Sequence, residues 1–342
     1  MKKRHINIPI FIPHLGCPND CVFCNQRTIS GVREFEWESV IPMIESALST
    51  IGDGAETELA FFGGSFTGID RDLMIKLLTL ANSYLKQGRI SSIRCSTRPD
   101  YINDEILDIL VEYGVTTVEL GLQSASDRVL FASRRGHTFE DEMKACRLIK
   151  DRGLRLGGQM MIGLPESSAE DEIKTAEFIA SVGADEARIY PTIVFKSTEL
   201  CSMAMRGKYI PLDTDSAVIR SAGAFRILTE RGVRVLRIGL CDSENLHRDD
   251  TYYAGPNHAA MGELVIGEYY YGLIRSRVAN ALHSQGAVLT VYTPVGHMSK
   301  VIGQNKKNKV RLLGEFGFFD IRFLENCDIP EFSILTVIEE RK

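Results

Sequence analysis

The 342-residue chain lacks any apolar run of bilayer-spanning length, which takes roughly 20 residues. Its basic start, Lys2, Lys3 and Arg4, is followed by only about one strand's worth of apolar residues, broken by Pro9 and Pro13. No export signal and no membrane segment are therefore expected. There is no excess of basic residues either: 40 Lys and Arg stand against 45 Asp and Glu, a net charge of −5. That excludes a chain basic throughout, but not a local basic groove, since nucleic-acid binding depends on charge distribution. No repeat of solenoid period and no low-complexity stretch occurs. What is present is ordinary: 44% apolar and 25% charged residues, enough for a sizeable core. In a chain without an export signal the eight cysteines are expected to be reduced, and the protein cytoplasmic.

Five of those cysteines are scattered (Cys95, Cys146, Cys201, Cys241, Cys327), and three are not. Cys17, Cys21 and Cys24 form C-x3-C-x2-C within Cys17-Pro18-Asn19-Asp20-Cys21-Val22-Phe23-Cys24. One tight loop can present thiolates at this spacing to one metal centre. Iron–sulfur clusters favour Cys thiolates, and three ligands would leave one iron of a four-iron cluster open. A structural zinc site would need a fourth protein ligand; His14 and Cys95 are available, neither at knuckle spacing. Three ordinary buried thiols are the plain alternative, although clustered cysteines more often signal metal or catalysis.

The rest of the chain alternates. Strands are expected at Ile6–Ile12, Glu58–Phe62, Ile90–Cys95, Val115–Leu120, Leu154–Ile162 and Glu186–Tyr190. Helical patterns separate them, with Asp70 placed to cap the second and Gly114, Gly153 and Gly183 closing later ones. This pattern predicts an α/β fold with a parallel sheet and helical crossovers: a partial (β/α)6 TIM-type barrel. A full eight-unit barrel takes about 250 residues. The barrel is assigned to residues 1–245, including a further strand at Val233–Ile238. Residues 246–342 are assigned to an appended α/β region for substrate binding, with a Gly-rich loop over Ala254–Gly267, a helix from Tyr269 to His283, and strands at Ala287–Tyr292 and Phe332–Ile338.

The cysteine pattern, with Phe23 before its third member, resembles the radical S-adenosylmethionine (SAM) superfamily. Later segments resemble the radical SAM domain of the Elongator catalytic subunit and the oxygen-independent coproporphyrinogen oxidases. They are Gly63-Gly64-Ser65-Phe66, Ser96-Thr97-Arg98-Pro99-Asp100, Val118-Glu119-Leu120-Gly121-Leu122-Gln123-Ser124, Arg134-Arg135-Gly136-His137-Thr138, Gln159-Met160-Met161-Ile162-Gly163-Leu164-Pro165 and Ile189-Tyr190-Pro191-Thr192-Ile193-Val194. The resemblance runs from about residue 6 to 240. It implies a [4Fe–4S] cluster on Cys17, Cys21 and Cys24, with SAM chelating the open iron. It further implies SAM contacts from Gly63, Gly64, Ser65, Ser96, Gln123, Arg135 and Gln159. Ser65 stands where many members have Glu, and Ser96 stands where Elongator-type chains place an acid near the ribose. Arg135 would grip the SAM carboxylate by two parallel hydrogen bonds. Arg98 has an equal claim to a structural role, bridging loops at the barrel mouth.

The expected activity is reductive cleavage of SAM to a 5′-deoxyadenosyl radical, fed by a ferredoxin or flavodoxin. The substrate is left open. Modification of RNA, tRNA included, predicts a basic path from Lys300–Arg311 to the barrel mouth. A small molecule or tetrapyrrole predicts a closed pocket roofed by Gly255–Glu263, where His258 and Glu263 are catalytic candidates. A third reading is a non-enzymatic iron–sulfur or zinc module. An acetyltransferase domain like that of the Elongator subunit is not expected in the roughly 100 residues past 240.

Overall fold

The computed structural model describes all residues except 1–4, 13–14, 18–20, 26–34, 53, 241–247, 249, 280, 282–283, 285 and 341–342. His14, weighed above as a fourth ligand, lies outside the described residues.

Seven parallel strands form the central sheet. They are β1 (His5–Ile12), β2 (Glu56–Gly63), β3 (Ser92–Thr97), β4 (Val115–Gln123), β5 (Arg155–Ile162), β6 (Glu186–Pro191) and, after a two-stranded ribbon, β8 (Arg234–Ile238). Their order in the sheet is β1-β2-β3-β4-β5-β6-β8, the sequential order of a barrel wall, and the sheet curls into a half-barrel. The partial TIM-type barrel expected from the alternation is what the chain forms, and Val233–Ile238 supplies the seventh strand at its edge.

The helices are α1 (Trp37–Thr50), α2 (Arg71–Lys86), α3 (Asp104–Glu112), α4 (Asp127–Ala132), α5 (Phe139–Asp151), α6 (Ala169–Ser181), α7 (Glu199–Met205) and α8 (Thr214–Glu230). The short α4 and α7 pack in small clusters with Phe23 and Val22, and the other six pack on the main core. Their starts are set locally. Asp70 accepts from Leu73 N–H and Asn103 from Ile106 N–H, as N-caps do. Thr138 with Asp141 and Ser168 with Asp171 close capping boxes on α5 and α6. Strand parity then separates two faces. Leu59, Phe61, Ile93, Cys95, Val118 and Leu120 are buried among the helices in one contiguous apolar core that extends to Ile334. Glu58, Arg94, Glu119, Glu186 and Arg188 occupy the opposite, lumenal parity.

The lumen is therefore charged. Arg94, 1% exposed, places Nε 2.6 Å from Glu58 and Nη1 3.7 Å from Glu119, and its Nη2 bonds Glu186. Arg188 Nε lies 2.7 Å from Glu119, and His5 Nε2 lies 3.2 Å from Glu58. Glu119 is a carboxylate within an otherwise apolar strand segment and needs partners when buried; two arginines and the Ser96 hydroxyl supply them. The partners were invisible in sequence because they sit on β3 and β6.

Beyond the barrel, β7 (Val194–Phe195) pairs antiparallel with β9 (Tyr252–Ala254). Helix α9 (Met261–Val278) packs on α8, and β10 (Val288–Thr293), α10 (Met298–Ile302), α11 (Lys307–Phe316), β11 (Asp320–Glu325) and β12 (Leu335–Glu339) complete the C-terminal layer. Its sheet order is β11-β10-β12. Here the structure departs from the expected elements. The helix expected from Tyr269 begins eight residues earlier, at Met261, inside the stretch expected to be a loop. Gly267 explains this: a Cβ there would meet the Lys300 carbonyl at 3.3 Å, so the glycine serves close packing of helix on helix. Strand β11 was not anticipated. No helix among the described residues is long and apolar enough to cross a membrane.

Candidate active site

All seven barrel strands are parallel, so their C-terminal ends share one rim. The loop of Cys17, Cys21 and Cys24 follows β1 directly onto that rim. Its backbone is tied to later segments: Val22 N–H donates to the Ser133 carbonyl at 3.2 Å, and Leu200 N–H to the Val22 carbonyl at 2.7 Å. Cys24 N–H donates to the Cys21 carbonyl at 3.0 Å, closing a turn between two of the thiols.

The Gly63-Gly64-Ser65 segment at the end of β2 lies directly against this loop. Gly64 N–H donates to the Ile12 carbonyl at 2.8 Å and Ser65 N–H to the Leu15 carbonyl at 3.1 Å. A Cβ on Gly64 would stand 2.0 Å from the Leu15 carbonyl oxygen, two residues before Cys17. The glycine is thus required for backbone to meet backbone beside the cysteines, whatever else it binds. Gly64→Ala is expected to displace the loop, lowering iron content after reconstitution and costing about 1–3 kcal/mol of stability by denaturant unfolding; an unchanged iron content would contradict this packing role.

Ser65 is fully buried. Its hydroxyl contacts Thr97 Oγ1 at 2.8 Å and accepts from Arg98 N–H at 3.1 Å, so it ties β2 to β3. Ser96 Oγ donates to Glu119 Oε1 at 3.1 Å; the carboxylate nearest this position comes from the next strand. Gln123 ends β4 with a φ of +72°, a left-handed conformation uncommon for a non-glycine residue. Its Oε1 accepts from Gln159 Nε2 at 3.3 Å. Strand parity alone does not say whether Gln159 faces the lumen or the neighbouring helix. Its neighbour Gly158 faces Ile179 of α6, with 2.9 Å to a Cβ built there, so Gln159 points to the lumen.

Arg135 follows α4, and its guanidinium reaches Cys21 Sγ at 3.3 Å and the Gly121 carbonyl at 2.6 Å. Arg98 holds Asp100 with two 2.9 Å bonds and donates to the Arg135 carbonyl at 2.5 Å, bridging two mouth loops. Burial, with Cys21 adding repulsion, pushes the Cys17 thiol up, while Arg98 and Arg135 oppose that rise. The sites foreseen at Cys17, Cys21, Gly63, Gly64, Gln123, Arg135 and Gln159 are thus brought to one end of the sheet. His258 and Glu263 are placed differently. His258 is exposed, its Nδ1 accepting from Ala260 N–H at 3.1 Å, and it lines an open depression with Pro191, Ile193, Gly239 and Pro256 beyond β6 and β8. Glu263 is exposed on the first turn of α9 rather than in a loop.

Sequence reading passed over His137. It is buried against Glu142, Nε2 to Oε1 3.0 Å, with Nδ1 3.8 Å from Asp100. Burial, together with Arg135 and Arg98, brings His137 down to about 3, and burial holds Glu142 well above the carboxylate range. Both shifts favour the uncharged forms, a protonated Glu142 beside a neutral imidazole. The lowered histidine loses stability as pH falls below 6.5, whereas the raised carboxyl opposes that loss by taking up a proton in the folded state. Glu142→Gln removes the opposing group, so the variant should lose stability relative to wild type from pH 6.5 down to 4.5. Urea midpoints across that range check this; parallel curves would refute the proton assignment.

The comparisons accord with this arrangement. The sequence pattern of the Radical SAM superfamily matches residues 11–179, and that of the Radical SAM C-terminal domain matches residues 184–270. The chain belongs to the radical SAM superfamily. Members of this enzyme family use a [4Fe–4S] cluster and SAM. The chain is 36% identical over 133 residues to the tRNA uridine(34) acetyltransferase of Methanocaldococcus infernus, spanning 38% of this chain but only 25% of that protein. It is 24% identical over 223 residues to protein YhcC of Escherichia coli K12, spanning 62% of this chain and 71% of that one. Its fold is shared with the archaeal M. infernus Elp3 lacking residues 1–46, at TM-score 0.60 and 24% identity, over 80% of this chain and 68% of that one.

The donor set fits the family's cluster: one loop supplies three thiols, the ligand type that iron–sulfur clusters favour. In a cubane each thiolate ligates its own iron, so the three thiols need not converge on one point, whereas a structural zinc demands four convergent ligands.

Proposed function

We propose that this chain is a radical SAM enzyme in which Cys17, Cys21 and Cys24 hold a [4Fe–4S] cluster and the adjoining strand ends hold SAM. The observation that carries this reading is the gathering of the cysteine loop, Gly63-Gly64, Gln123, Gln159 and Arg135 at one end of the half-barrel. When bound, cluster and SAM supply a one-electron cleavage that yields methionine and a 5′-deoxyadenosyl radical, the electron coming from a ferredoxin- or flavodoxin-type donor. The protein's part is to pack the Leu15–Gly16 backbone against Gly64 so that the cysteines are presented together. Gln123 and Gln159 offer amide groups at the lumenal rim. The Arg94–Glu58–Glu119–Glu186 network keeps the floor below filled and rigid.

For the substrate, similarity to the tRNA uridine(34) acetyltransferase favours an RNA base. A second reading, a small molecule, is favoured by charge. Three of the five cations in the Lys300–Arg311 segment expected to lead RNA to the mouth face carboxylates: Lys307 faces Asp215 at 2.8 Å, Lys309 faces Asp320 at 2.8 Å, and Arg311 faces Glu268. The Tyr252–His258 segment lies beyond the ends of β6 and β8, where the region from residue 246 would help define a substrate site. Reduced, reconstituted protein given SAM is expected to release 5′-deoxyadenosine, measured by liquid chromatography–mass spectrometry; its absence overturns the proposal. Nucleoside and metabolite profiles of cells with and without the protein separate the substrate readings. A modified nucleoside that disappears supports RNA, and a changed metabolite with intact nucleosides supports the small molecule.

A further inference from the structure

Arg135 is fixed before any cofactor is considered. The residue is 6% exposed. Its N–H donates to the Leu130 carbonyl at 3.0 Å, and its carbonyl accepts from Arg98, itself clamped by Asp100. Its Nη2 is anchored to the Gly121 carbonyl at 2.6 Å, which leaves Nη1 against Cys21 Sγ at 3.3 Å. Gly121 makes the room, since a Cβ there would stand 3.3 Å from that Nη2 and 2.9 Å from Gln123 Nε2. The fork is therefore spread over a carbonyl of β4 and a cysteine sulfur. A carboxylate grip would instead need two parallel donors turned to one ligand.

We propose that Arg135 acts through the sulfur of Cys21 as a positioning residue that raises the reduction potential of the cluster, independently of SAM. This rests on the reading of Cys17, Cys21 and Cys24 as cluster ligands. Reduction adds one electron to the cluster and its thiolates. A fixed cation donating to one of those sulfurs stabilises the more negative, reduced state over the oxidised one. Hydrogen bonds to sulfur, net charge and solvent exposure are the protein's controls on such potentials, and burial strengthens the charge contribution. The chain thus eases arrival of the electron before SAM is engaged.

The test is a redox titration followed by electron paramagnetic resonance on the full chain, reconstituted anaerobically and without SAM. In Arg135→Gln the reduced-to-oxidised ratio at a fixed solution potential should fall about tenfold, equivalent to ~59 mV for a one-electron couple. Arg135→Lys, which keeps the charge but not the fork, should fall less. Gly121→Ala, which crowds the guanidinium from behind, should also lower the ratio with Arg135 intact. Unchanged potentials in variants that retain a four-iron cluster overturn the inference. If the SAM-induced spectral change is also lost in those variants, Arg135 serves only the SAM carboxylate. If Arg135→Gln takes up no cluster, Gly121→Ala decides by the same criterion. Failure of the wild-type chain to take up any four-iron cluster overturns the underlying reading, and this inference with it.

Discussion

Cys24→Ala, reconstituted with iron and sulfide under anaerobic conditions, is expected to yield no 5′-deoxyadenosine above background when reduced and given SAM. Two thiols remain in this variant, but the turn that brings Cys24 back under the Cys21 carbonyl then presents no ligand. A cluster needs its thiolates, and Cys17 and Cys21 alone leave a second iron without its cysteine. The loss should be accompanied by lower iron content and a bleached charge-transfer absorption. The fold should persist, because the loop is held by backbone bonds from Val22 to Ser133 and from Leu200 to Val22 that the substitution leaves alone. Circular dichroism should therefore match wild type. A variant that still cleaves SAM at the wild-type rate would show that the three cysteines are not the cluster's ligands.

Arg94→Met is expected to produce the largest loss of stability, without touching the mouth of the barrel. One buried guanidinium faces Glu58, Glu119 and Glu186 from three other strands. Removing one partner of a buried ion pair costs about 3–5 kcal/mol, because the other charge stays buried and uncompensated. Here three carboxylates lose their shared cation, although Arg188, His5 and Arg155 still touch the group from its edges. The measurement is the urea midpoint beside that of Arg206→Ala, whose 2.8 Å pair with Glu199 is half-exposed and should matter little. A loss no larger than that of Arg206→Ala would mean that the lumenal network holds nothing together.

Much of this protein was legible in the sequence because the relevant physics is local. Period and punctuation located the barrel strands and the crossover helices, and Asp70 capped its helix as its position suggested. Cysteine spacing is a property of a single loop, so Cys17, Cys21 and Cys24 could be singled out before any fold was known. The C-terminal region resisted for the same reason in reverse. Gly262 and Gly267 weaken a helical pattern locally, and what makes α9 a helix is its packing on α8 and against Lys300. Lys300–Arg311 reads as a basic run, and folding sets Asp215, Asp320 and Glu268 beside three of its five cations, Lys307, Lys309 and Arg311.

The sequence by itself determined the alternating strands and helices, the three-thiol loop and the motifs at successive strand ends. Only the tertiary structure decided what those residues touch. It placed Gly64 against Leu15, turned Gln159 toward Gln123, set Arg94 among carboxylates of three strands and laid Arg135 on the sulfur of Cys21. The reason is that a parallel sheet gathers strand ends separated by about thirty residues each, the length of a βαβ unit. Spacing along the chain says that such ends share a rim. Register and side-chain direction, which spacing does not carry, say which atoms meet. Cys17–Cys24 could thus be recognised one residue at a time, but the arginine that holds its middle thiol belongs to a loop 114 residues further along the chain.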